Sequence, residues 1–140
     1  MVKFILLFIF SVTFIKAEVE TNKNNWETLT ITRFCAVDKK FCEDKLHIDK
    51  VAKISFTVCG KKSQAIKIDD NLIDKIKDIN EEVIRDWSDD ASHDTACGYL
   101  IKLDDSKDNY IYLDKNPDLY ERKEIKEYIQ TLNQTFDKLK

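Results

Sequence analysis

The apolar residues of this chain recur with two periods. From Thr28 to Phe34, TLTITRF, Leu29 and Ile31 alternate with threonines, and this β-branched period of two predicts a strand to about residue 33. Trp26, Thr30, Phe34, Val37 and Phe41 also fall on one helical stripe, which leaves a helical alternative open there. AKISFTVC, residues 52–59, sends Ala52, Ile54, Phe56 and Val58 one way and Lys53, Ser55 and Thr57 the other, as a half-buried antiparallel strand does. Gly60 and the lysines after it read as a turn, with a short strand expected over AIKI, residues 65–68.

The period then changes. DNLIDKIKDINEEVIRDW, residues 70–87, aligns Leu72, Ile73, Ile76, Ile79, Val83, Ile84 and Trp87 on one helical face, with Asp69 or Asp70 as its cap. GYLIKL, the polar DDSKDN and YIYL predict a hairpin. Asn116 and Pro117 are placed to open a last helix whose stripe is Ile125, Tyr128, Ile129, Leu132, Phe136 and Leu139. An antiparallel sheet packed against two amphipathic helices would bury every one of these stripes, giving an α+β fold. An all-α helical bundle is the alternative, because Ile48, Val51, Ala52, Ser55 and Val58 also share helical spacing and the chain has only two glycines and one proline.

The first residues change the setting. MVKFILLFIFSVTFIKA has the short positive start, apolar core and small final residue of a secretory leader, so residues 1–17 are expected to be a signal peptide and 18–140 a single domain. The apolar run falls short of the roughly 20 residues that a membrane-crossing helix needs. Removing Lys3 and Lys16 with the leader takes the net charge from −3 to about −5. That balance works against a nucleic-acid partner or an anionic membrane surface.

In an oxidising compartment four cysteines, Cys35, Cys42, Cys59 and Cys97, are expected to form disulfides. If residues 35–42 are helical, the two thiols there stand about 10.5 Å apart along the axis, too far to join. Each would then bridge elsewhere, as 35–59 with 42–97 or 35–97 with 42–59; a loop would instead allow 35–42 with 59–97. The spacings match neither a zinc site nor a Cys-x-x-Cys redox pair.

Candidate chemistry is sparse. His47 and His93 lack a nucleophile motif, and the acidic run from Asp86 to Asp94 reads as a solvated helix end. DDSKDNYIYLDK lacks the glycine and glutamate of a calcium loop. Asn133 begins the sequon NQT, a candidate N-glycosylation site. Trp87, Tyr110 and Tyr112 are candidate interface residues, since Tyr and Trp concentrate energy at protein contacts. No motif points to a cofactor or metal. The expectation is a secreted, non-catalytic protein that binds a protein partner, with a carrier of a small hydrophobic ligand as the alternative. Heavy Lys, Asn, Ile and Asp usage with only three arginines suggests an AT-rich genome and the sub-case of a host-directed salivary or parasite effector.

Overall fold

The structure is a computed structural model that describes residues 24–35, 42–49, 53–62, 69–91 and 96–138. The leader, the segment between the first two cysteines, the AIKI stretch, His93 and Asp94 lie outside the described residues. Among the described residues six strands form one antiparallel sheet: β1 (Thr28–Cys35), β2 (Asp44–Asp49), β3 (Ile54–Val58), β4 (Lys61–Lys62), β5 (Cys97–Leu103) and β6 (Tyr110–Asp114). Their order is β4-β3-β2-β1-β5-β6. The same described residues include three α-helices, α1 (Asp70–Lys77), α2 (Glu81–Trp87) and α3 (Lys123–Asp137). The fold is α+β, and the helical-bundle alternative is excluded.

Alternation decides which side of the sheet is the core. Leu29 and Ile31 of β1 stand beside Ile48 and Leu46 of β2 and beside Leu103 and Ile101 of β5. Phe56, Ile111 and Leu113 complete this inner face, and all are buried with the apolar sides of the three helices in one cluster. Tyr99 extends the layer, packing on Phe136 of α3 with ring centroids 5.3 Å apart. The inner face of β3 is only partly covered: Phe56 is buried, but Ile54 is exposed.

The strand β2 was not expected, and its first inward residue explains why. Asp44 occupies an apolar register position, which breaks the alternation of Leu46 and Ile48. It is 3% exposed, and its Oδ2 accepts from Nη2 (2.6 Å) and Nε (3.1 Å) of Arg33, the residue directly opposite on β1. Arg33 also reaches Asp137 at 3.1 Å and lies over the Phe136 ring.

The long helix expected over residues 70–87 is split. Asp69 caps α1 by accepting from the Asn71 N–H, and Asn80, in extended conformation, caps α2 by accepting from Val83. Three carbonyls at or near the break find side-chain donors. Ile76 accepts from the Tyr128 hydroxyl, Lys77 from Asn24 and Ile79 from the Trp26 indole, at 2.9, 2.9 and 2.7 Å. Ile76 and Ile84 stay buried on either side of the break and Ile79 within it, so the stripe survives.

The last helix is also shorter than expected. Asn116 caps a 3₁₀ turn, Pro117–Leu119, and α3 begins only at Lys123, leaving 15 residues and about 22 Å of helix. Two disulfides join the sheet at one end, Cys35–Cys97 across β1 and β5 and Cys42–Cys59 across the start of β2 and the end of β3. Of the pairings open at the sequence level, the strand register selects this one, because Cys35 and Cys97 are direct neighbours. Among the described residues no helix is long and apolar enough to cross a membrane.

Candidate functional site

Because a strand alternates, filling one face of the sheet with Leu and Ile assigns the other residues to the opposite face. Two cross-strand rows run across it. Thr57, Lys45, Thr32, Leu100 and Tyr112 form one, and Ser55, His47, Thr30, Lys102 and Tyr110 form the next. Among the described residues no helix lies on this side. Lys45, Ser55 and Tyr110 are exposed, and His47, Leu100, Lys102 and Tyr112 are half-buried.

One end of this face is aromatic. Phe34, half-buried at the end of β1, meets the edge of Tyr112 at 5.9 Å, and Tyr112 meets Tyr110 edge-on at 5.7 Å. With Leu100 beside Tyr112, they form an apolar strip that is open to solvent on one side. Phe34 was not singled out from the sequence, though its signal was present: it shares the parity of Thr28, Thr30 and Thr32, opposite to Leu29 and Ile31.

Tyr110 and Tyr112 are therefore brought together, whereas Trp87 is not. Trp87 is buried in the helical layer, edge-on to Tyr128 with centroids 5.5 Å apart. It sits at the floor of a cleft of about 720 Å³ that Asn80, Arg122, Glu127 and Gln134 also line. Arg122 spans this region, bonding Asp86 at 2.6 Å and approaching Asp90 at 3.6 Å. The pair holds the Asp86 carboxyl below its usual range through the hydrogen bond from Arg122. Its lining is mixed, with charged and amide side chains beside Val83, Trp87 and Tyr128.

His47 is the one histidine among the described residues. Its Nδ1 lies 3.0 Å from the Thr30 hydroxyl, which is directed to Asp105 at 3.2 Å. These contacts tie β1, β2 and the turn after β5 together on this face. Asp105 and its neighbour Asp104 both have left-handed backbones, and the Asp104 carboxylate accepts the N–H groups of Glu27 and Thr28, fastening the hairpin turn to the start of β1. Among the described residues no group of His, Cys, Asp and Glu could hold a metal ion.

Asn133 is half-buried in α3. Its Oδ1 accepts from the Tyr99 hydroxyl at 2.6 Å, and its Nδ2, the atom a glycan would occupy, donates to the Lys115 carbonyl at 2.9 Å. Thr135 of the same sequon is fully buried, its hydroxyl bonded to the Thr131 carbonyl.

What the fold and this face define is a small disulfide-linked α+β protein with helices on one side of its sheet and an aromatic strip on the other. No protein-family model, no curated protein and no solved structure matches the chain.

Proposed function

We propose that the chain is a secreted, non-catalytic protein that acts by binding another macromolecule, most plainly a protein, through the uncovered face of its sheet. The observation that carries this reading is the strip of Phe34, Leu100, Tyr112 and Tyr110. Apolar and aromatic area left open on the face of a sheet is what a partner would bury, and rigid tyrosines with one polar end suit such contacts. Two disulfides and the leader-like first residues support an extracellular setting. A host-directed effector is the sub-case that the composition favours.

A photo-cross-linking side chain tests the reading. Placed at Tyr112, it should give a discrete macromolecular adduct in the fluid into which the protein is secreted; placed at exposed Gln130 on α3, it should give none. Adducts of equal yield from both positions, or only from Gln130, would refute it.

A further inference from the structure

We infer that β6 takes up an extended, basic segment of a partner protein as a seventh strand of the sheet. The inference rests on the binding reading above and adds to it where the partner's backbone lies and what charge it carries.

The backbone geometry comes first. Leu103 N–H donates to the Asn109 carbonyl and Lys115 N–H to the Cys97 carbonyl, so the odd-numbered residues from 109 to 115 face β5. The even-numbered ones, Tyr110, Tyr112 and Asp114, direct their N–H and C=O groups away from the sheet. The Asp114 N–H is taken by the Tyr120 hydroxyl at 2.7 Å. Among the described residues nothing bonds the outward groups of Tyr110 and Tyr112, which leaves two donors and two acceptors in a row.

The two edges of the sheet differ in how they are guarded. β4 is two residues long, and both are exposed lysines, which is how proteins discourage pairing at an edge. β6 is YIYLD, without proline or lysine. A strand laid along it would set alternate side chains beside Tyr110 and Tyr112 and extend the aromatic strip by one strand.

Charge selects the occupant. Between positions 104 and 121 there are six acidic side chains and two lysines. Asp108, Asp118 and Glu121 are exposed there, and the turn that follows α2, a helix in contact with β6, carries exposed Asp89. Lys102, one strand further in, is the basic residue closest in register to Tyr110. A second copy of this chain fits badly. Antiparallel pairing that satisfies all four outward groups sets Tyr110 against the second copy's Tyr112, and the same register sets Asp108 against Asp114 and Lys107 against Lys115. Like charges directly opposite destabilise a strand pair.

The test uses two heptapeptides as probes, one alternating lysine with valine and one alternating glutamate with valine. Amide exchange is read at Tyr112 in the disulfide-intact protein. The lysine peptide should slow exchange at Tyr112 several-fold, less so in high salt, and the glutamate peptide should leave it unchanged. Tyr110→Pro removes an outward N–H without touching the β5 ladder and should abolish the protection, while Tyr110→Ala, which keeps that N–H, should retain most of it. The double change Asp108→Lys with Asp118→Lys leaves the strand's own residues intact and should remove the preference for the lysine peptide. Equal protection by both peptides, protection by neither, or protection that rises with protein concentration alone would overturn the inference. Adducts at Tyr112 that survive Tyr110→Pro would leave the binding face standing and remove only the added strand.

Discussion

Replacing Arg33 with methionine isolates the ion pair that β2 depends on. Arg33 is 7% exposed and Asp44 3%, so the substitution strands a carboxylate among apolar neighbours and removes both of its guanidinium donors. Breaking such a buried pair from one side costs about 3–5 kcal/mol. The contact with Asp137 adds little, because that side chain is 75% exposed, and Asp137→Asn should cost about 0–1 kcal/mol. Arg33→Met with Asp44→Leu removes both charges from the same register pair. Well-packed apolar replacements of buried pairs are commonly neutral or stabilising, so the double variant should lie within about 1 kcal/mol of the parent or above it. Urea unfolding of the parent, Arg33→Met, Asp44→Leu and the double variant, with disulfides intact, closes the cycle, and a loss of about 4 kcal/mol should lower the midpoint by roughly 2–3 M at a typical slope. If Arg33→Met cost under about 1 kcal/mol, or the double variant lost the sum of its parts, Asp44 would not be buried as described.

Other consequences are open to measurement. Asn133→Asp should cost about 1–2 kcal/mol, because the Lys115 carbonyl loses its Nδ2 donor and faces a carboxylate while the Tyr99 bond is kept, and the intact mass of the protein from its natural source should carry no glycan at this position, since the folded sequon has its amide engaged and its threonine buried; a retained glycan would refute this. Unreduced peptide mapping should find 35–97 and 42–59, which enclose separations of 62 and 17 residues; by the chain-entropy model, removing them costs about 4 and about 3 kcal/mol respectively. Burial raises the Tyr99 and Tyr128 hydroxyls above the ordinary value of 10.0. The unfolded chain therefore loses those protons first, and stability that is full below pH 10 should fall above it, by about 1.4 kcal/mol per tyrosine per pH unit. Tyr128→Phe should flatten that decline in alkaline melts, and an unchanged slope would contradict the burial.

The parts of this fold legible from the sequence are those whose pattern was purely apolar. Leu29 and Ile31 marked β1, the hairpin of β5 and β6 stood out between its turn residues, and the stripe from Leu72 to Trp87 survived as a buried face. The parts that were not legible depend on polar groups whose partners are distant. Asp44 looks like a loop residue until Arg33 is opposite it. The break between α1 and α2 is signalled locally by Asn80 and the two glutamates after it, but it is completed by Asn24, Trp26 and Tyr128, more than 50 residues away in either direction. Of the interface candidates, Tyr110 and Tyr112 share the solvent face because hairpin parity fixes them, whereas Trp87 follows its helical stripe into the core.

The account depends on the sheet having an uncovered face, and ring exposure in solution tests that most directly. With a soluble gadolinium chelate added to the intact protein, the ring protons of Phe34, Tyr110 and Tyr112 should broaden strongly, while those of Tyr99 and Tyr128 should stay sharp. Phe34 and Tyr112 rings shielded as well as Tyr99 would mean that the face is covered, and would contradict the account.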